Sequence, residues 1–195
     1  MQIRLAAELQ KDSIVDGEGV RAVLWTQGCS HNCKGCQNPQ THSFEGGALI
    51  DFEEVKSWID ELEGHQGITL SGGDPFFQPN ECAEIAKYAK SKNLDVWCYT
   101  GFDFEVLVRR SKNDQGILNL LNNIDVLVDG KFDISRKSFD ALFRGSYNQR
   151  IIDVPKSLKE NKISLVEKFY KEEKKYNPLQ RKNMYIWLYF FCLFY

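Results

Sequence analysis

Arg21-Ala22-Val23-Leu24-Trp25-Thr26, running straight into Gln27-Gly28-Cys29-Ser30-His31-Asn32-Cys33-Lys34-Gly35-Cys36, decides how the rest of this chain is read. The first six residues are β-branched, apolar and aromatic, the composition of a buried strand. The next ten carry three cysteines within eight positions, at C-x3-C-x2-C spacing, which is the spacing of ligands. In a parallel sheet the functional residues gather where strands pass into loops. A buried strand that opens directly into a ligand loop therefore points to an α/β fold.

Outward from that stretch the chain alternates between strand and helix. Ile50-Asp51-Phe52-Glu53-Glu54 reads as a helix start, with Asp51 as its cap, Glu54 at the capping-box position and Ile50 stapled to Val55. Val55, Trp58, Ile59 and Leu62 then follow at helical spacing. Residues 67–71 (GITLS) form a second strand. Pro79 suits a first helical turn, and Cys82, Ile85, Ala86 and Ala89 continue an apolar face to Ser91. Residues 94–99 (LDVWCY) form a third strand, helices are expected over 104–110 and 113–121, and residues 124–128 (IDVLV) form a fourth strand. This is the order of βαβ units around a parallel sheet, with the helices outside.

Each strand is followed by an unusual segment. The cysteine loop follows the first, Gly72-Gly73-Asp74-Pro75 the second, Thr100-Gly101 the third and Asp129-Gly130-Lys131 the fourth. All four are expected on one rim of the sheet. Gly-Gly and Asp-Pro are turn dipeptides on their own. On that rim, however, two glycines also let backbone approach a ligand closely, and Asp74 can receive an ammonium group.

The formal charge of -2 comes from 25 basic and 27 acidic residues, so the broad basic footprint of a nucleic-acid binder is missing. An apolar share of 43% is that of an ordinary globular protein, and 195 residues suit one domain. The opening MQIRLAAELQKDS has no apolar core of a secretory signal, which makes a cytoplasmic, reducing compartment the expectation. A disulfide framework does not fit that compartment. Cys82 and Cys98 read as packed core thiols.

Three thiolates suit zinc or an iron–sulfur cluster. A zinc site wants a fourth ligand, which His31 or His42 could supply, so a zinc-binding interaction module is the main competing reading. His31 otherwise reads as a polar loop residue. On a four-iron cluster, three cysteines leave one iron open to substrate or cofactor, as catalysis requires and an electron carrier avoids.

The cysteine spacing followed by Gly72-Gly73-Asp74-Pro75 resembles the radical S-adenosylmethionine superfamily. Asp16-Gly17-Glu18-Gly19-Val20-Arg21 with Gln27-Gly28-Cys29 resembles the glycyl-radical-enzyme activases within it. Val128-Asp129-Gly130-Lys131-Phe132 and Arg144-Gly145-Ser146-Tyr147-Asn148-Gln149-Arg150-Ile151-Ile152-Asp153 narrow the likeness to the activases of anaerobic ribonucleoside-triphosphate reductase. The likeness runs from Asp12 to Leu158.

The resemblance implies a partial (β/α) barrel with a mainly parallel sheet and a [4Fe–4S] cluster at the C-terminal ends of the strands. Cys29, Cys33 and Cys36 would hold the cluster, and its open iron would chelate S-adenosylmethionine. Gly72, Gly73 and Asp74 would meet the methionine end, Lys34, Gly35 and Cys36 the adenosine, and Thr100, Asp129 and Lys131 further rim contacts. Gly35 stands where many members of the superfamily carry an aromatic residue, a departure that the reductase activases share. The implied reaction is one-electron cleavage of the sulfonium to a 5′-deoxyadenosyl radical, which takes a hydrogen atom from a glycine of the partner reductase. Flavodoxin or ferredoxin would supply the electron. An activase of a formate-lyase-type enzyme is the alternative within the class. Asp16 and Arg21 would face the incoming glycine segment or form a salt bridge caging a solvated loop. Arg144 and Arg150 would bind the partner or form structural ion pairs.

The activase domain is expected over residues 1–166, with a tail over 167–195. The tail is first rich in lysine, arginine and glutamate and then apolar from Met184 to Tyr195. Twelve apolar residues fall short of the roughly 18 to 20 that span a bilayer.

Overall fold

The computed structural model describes residues 1–170, and the tail expectation for Met184–Tyr195 lies outside them. The chain divides into a compact unit, Met1–Leu165, and a second one beginning at Val166. Of the second unit, residues 166–170 are described, with Phe169 N–H donating to the Val166 carbonyl.

The first unit is a mixed α/β layer built on one sheet. Its elements in chain order are strands β1 (Gln2–Leu5), β2 (Gln10–Ser13), β3 (Arg21–Thr26) and β4 (Ala48–Asp51), helix α1 (Phe52–Asp60), β5 (Gly67–Gly72), α2 (Pro79–Ser91), β6 (Asp95–Tyr99), α3 (Phe104–Arg110), α4 (Gln115–Asn123), β7 (Val126–Asp129), β8 (Arg150–Asp153) and α5 (Val154–Glu160). The sheet order is β4-β1-β3-β5-β6-β7-β8, with β2 on the side of β3. β3, β5, β6 and β7 are parallel neighbours, as the sequence pattern predicts. Antiparallel pairs flank them: β1 with β3 and β4, β2 with β3, and β7 with β8. The expected mainly parallel sheet is thus a parallel centre with antiparallel margins.

One face of the centre is a row that the register aligns: Leu24, Leu70, Cys98 and Leu127. These four are fully buried against Val55 of α1, Ile85 and Ala86 of α2, and Ile117 and Leu120 of α4. Truncating a core leucine such as Leu70 to alanine costs about 2–5 kcal/mol, from lost transfer energy and the cavity left behind. Cys82 and Cys98 belong to this core, and burial pushes both thiols well above their ordinary range. Pro79 sits at the first turn of α2, as expected. Asp51 precedes α1 but makes no side-chain cap, because Ile50 and Asp51 complete β4 instead.

The other face of the centre holds Val23, Thr69 and Trp97, with Arg21 at the start of β3. Arg21 is fully buried. Its Nε donates to Thr69 Oγ1 at 2.9 Å and its Nη2 to the Ile68 carbonyl at 2.7 Å. It is ion-paired with Asp95 and lies 5.4 Å from the Trp97 ring. Its ion pair is with Asp95 rather than Asp16, while its Nη1 donates to the Glu18 carbonyl at 3.1 Å and so ties the 16–20 loop to the start of β3. The parallel order of β3, β5, β6 and β7 brings their C-terminal ends to one edge, and the loops leaving that edge build the site.

Candidate functional site

The cysteine loop is anchored at both ends by backbone. Gly28 N–H donates to the Thr41 carbonyl at 2.8 Å and Cys29 N–H to the His42 carbonyl at 3.0 Å. Buried Gln27 adds a side-chain bond to the Ser43 carbonyl at 2.7 Å. Across the strand ends, Gly73 N–H donates to the Thr26 carbonyl at 2.7 Å and Asp74 N–H to the Gly28 carbonyl at 3.0 Å. This approach requires glycine. A Cβ on Gly73 would stand 2.4 Å from the Gly28 carbonyl oxygen, and Gly72 adopts a φ of +101°.

A cavity of about 440 Å³ opens on this edge. Cys29, Cys33, Cys36, Gly72, Gly73 and Thr100 all line it. Segments that leave four neighbouring strands therefore converge, as the strand-end pattern predicts. Lys34 and Lys131 line an adjoining cavity of about 600 Å³, and Gly101, Gly130 and Phe132 border both. Asp16 reaches the first cavity too. Gly35, Asp74 and Asp129 line neither cavity.

Those two aspartates are 1% exposed and committed elsewhere. Asp74 Oδ2 accepts from His31 Nε2 at 2.7 Å, Thr100 Oγ1 at 2.8 Å and Gly101 N–H at 2.9 Å. Its Oδ1 accepts from Phe76 N–H at 2.9 Å. Asp129 is ion-paired with Arg150 and accepts from Phe104 N–H at 2.8 Å, capping α3 from outside that helix. Both carboxylates join loops to one another.

His31, read from sequence as a polar loop residue or an alternative fourth zinc ligand, instead meets Asp74, a role that the residue pattern missed. Its partner Asp74 lies far along the chain, so only the spacing within C-x3-C hinted at a role. The Gly145–Arg150 segment is likewise tied inward. Gln149 Nε2 donates to the Gly130 carbonyl at 3.0 Å, and its Oε1 accepts from Gly145 N–H at 2.9 Å. Asn148 Nδ2 donates to the Lys131 carbonyl at 2.8 Å. Arg144 is buried, with Nη1 donating to the Gln149 carbonyl at 3.1 Å. Arg150 pairs with Asp129 and also with Glu105, at 2.8 Å. Arg150 thus forms the structural ion pairs that were one of its two readings.

The donor set of the cavity is three free thiols. Desolvation pushes Cys29 up to about 11, opposed by the His31 backbone N–H, while Asp74, Cys33 and Cys36 add to the rise. Three soft ligands whose charges repel one another fit a strongly electrophilic metal group, which would displace their protons on binding. Among the described residues no three Cys, His, Asp or Glu side chains gather about a point where one metal ion would sit. Three thiols lining one cavity can each hold one iron of a multi-iron cluster, leaving the fourth iron without a protein ligand. The residues present therefore fit a [4Fe–4S] group.

Comparison with known proteins agrees. Residues 15–152 match the model of the 4Fe–4S single cluster domain. The chain is 35% identical over 143 residues to the anaerobic ribonucleoside-triphosphate reductase-activating protein of Enterobacteria phage T4, covering 70% of this chain and 86% of that protein. It is 35% identical over 146 residues to the protein of the same description from Haemophilus influenzae, covering 71% and 90%. The counterpart from Escherichia coli K12 is 34% identical over 145 residues, covering 70% and 90%. Crystalline QueE from Escherichia coli overlaps 52% of this chain with a TM-score of 0.41 and 13% identity. No helix among the described residues is long and apolar enough to cross a membrane.

Proposed function

Because the chain belongs to the 4Fe–4S single cluster domain family and to that of the anaerobic ribonucleoside-triphosphate reductase-activating proteins, we propose that it installs the glycyl radical of such a reductase. The observation that carries this reading is the convergence of Cys29, Cys33 and Cys36 with the Gly72–Gly73 backbone and Thr100 on one cavity at the strand ends.

Cys29, Cys33 and Cys36 would hold the [4Fe–4S] cluster, leaving one iron for the amino and carboxylate groups of S-adenosylmethionine. With that cofactor bound, the group would supply one-electron radical chemistry directed at the partner's glycine. The chain's own part is orientation and exclusion of water. Gly72 and Gly73 keep the β5 loop thin enough for the methionine end to lie against backbone. Thr100 lies beside them on the wall, held by its bond to Asp74. Lys34 and Lys131 line the adjoining cavity, where the adenosine and the glycine segment of the partner would enter. Gly35 lends its φ of +74° to the turn beside Cys36, and Ile134 packs over it.

The open sheet, with helices on one face and cavities at the strand ends, supports a partial (β/α) barrel with the cluster at its C-terminal rim. Residues 1–166 would form the activase domain. The electron would come from a small donor such as flavodoxin or ferredoxin, and a cytoplasmic setting suits an oxygen-sensitive cluster.

The test is to mix the reconstituted protein anaerobically with an anaerobic ribonucleoside-triphosphate reductase, S-adenosylmethionine and reduced flavodoxin. A glycyl-radical doublet in the electron paramagnetic resonance spectrum of the reductase is the expected result. Methionine formation without that doublet would turn the reading toward another glycyl radical enzyme.

A further inference from the structure

We propose that His31 is a positioning residue, whose ring locks the cysteine loop to the β5 and β6 loops and so sets both the cluster's potential and the seat of S-adenosylmethionine. The inference rests on the cluster reading above and concerns a residue to which that reading gives no role.

The His31 ring sits in a built slot. Its side chain is 8% exposed and stands edge-on to Phe102, with centroids 4.5 Å apart, and tilted against Phe77 at 5.6 Å. Gly101 forms a wall of the slot: a Cβ there would come within 2.5 Å of His31 Cδ2. The polar end meets Asp74 Oδ2 at 2.7 Å. That oxygen also accepts from Thr100 and Gly101. An ionised carboxylate only accepts, so the ring nitrogen facing it carries the proton.

The same residue stands in the loop between Cys29 and Cys33, and its backbone N–H opposes the upward push on the Cys29 thiol. One residue thus connects a cluster ligand to the carboxylate that holds the far wall of the cavity. Hydrogen bonds to ligand sulfurs tune cluster potentials, and groups that orient ligands often matter nearly as much as the ligands. Loss of the ring anchor would free the loop between Cys29 and Cys33 and loosen Thr100 and Gly101 together.

The test compares His31→Leu with His31→Gln, whose amide nitrogen reaches about as far as imidazole Nε2. Iron and sulfide content, the midpoint potential of the cluster and the KM for S-adenosylmethionine are measured on each reconstituted protein beside wild type. We expect His31→Leu to take up iron fully, move the midpoint potential away from the wild-type value and raise KM about ten-fold, the loss of one charge-assisted hydrogen bond. His31→Gln should restore both. A fully loaded His31→Leu with wild-type potential and KM would overturn the inference, as would a loaded His31→Gln as impaired as His31→Leu. If His31→Leu yields no folded protein, His31→Asn takes its place. Its amide stops a methylene short of Asp74, so behaviour equal to that of His31→Gln would overturn the inference. A wild-type protein that takes up no iron would instead overturn the cluster reading itself.

Discussion

Asp74 and Asp129 stand at the ends of neighbouring parts of one sheet, are equally buried, and were both expected from sequence to touch the cofactor. Their surroundings differ. Asp74 accepts from three segments around the cysteine loop, none of them a permanent cation. Asp129 faces Arg150, which also holds Glu105, and caps α3. The first carboxylate shapes the cavity wall, whereas the second closes the sheet beside β8. An acidic residue at a strand end can thus join the loops around a site, and its partners decide which part of the molecule it organises.

The sharpest way to break this contrast is to truncate both residues. Asp74→Ala leaves the donors of His31, Thr100, Gly101 and Phe76 without their acceptor. It should cost about 3–5 kcal/mol in denaturant unfolding and abolish the response of the cluster to S-adenosylmethionine. Asp129→Ala leaves Arg150 still paired with Glu105. It should cost about 2–3 kcal/mol while the loaded protein keeps its S-adenosylmethionine response. If Asp129→Ala lost that response as fully as Asp74→Ala, the two aspartates would share one role.

The smallest effect is at Glu105, held below its ordinary value of 4.5 chiefly by the Arg150 hydrogen bonds. A carboxylate depressed in the folded state stabilises above its unfolded pKa, and the contribution vanishes as pH falls through the lower folded value. Glu105 is half exposed, so Glu105→Gln should cost less than about 1 kcal/mol at pH 7. Thermal unfolding of variant and wild type should converge as the pH drops below 4.5. A gap that widened in acid would contradict the pairing.

The parallel centre was legible because its strands are buried and apolar: β3 and α3 have the expected bounds, and β5, β6 and β7 lie within two residues of theirs. The antiparallel margins were not. Gln10–Ser13 is polar and mostly exposed, with no alternation to read, and Ala48–Asp51 is a largely exposed edge strand whose last residues imitate a helix cap. β8 lay hidden in a stretch read for function, and its arginine pairs with Asp129 and Glu105. In the site, the cysteines and glycines announce themselves by local spacing and backbone need. The contacts of His31, Gln149 and Asp74 depend on partners far along the chain, which one sequence does not reveal.

The central claim is that three strand-end thiols hold a cluster that cleaves S-adenosylmethionine. The most direct measurement is 5′-deoxyadenosine formed anaerobically by the reduced, reconstituted protein, beside Cys29→Ala, Cys33→Ala and Cys36→Ala. The account predicts 5′-deoxyadenosine from the wild type and none from any of the three variants. Undiminished product from a cysteine variant, or none from a fully loaded wild type with its reductase present, would contradict it.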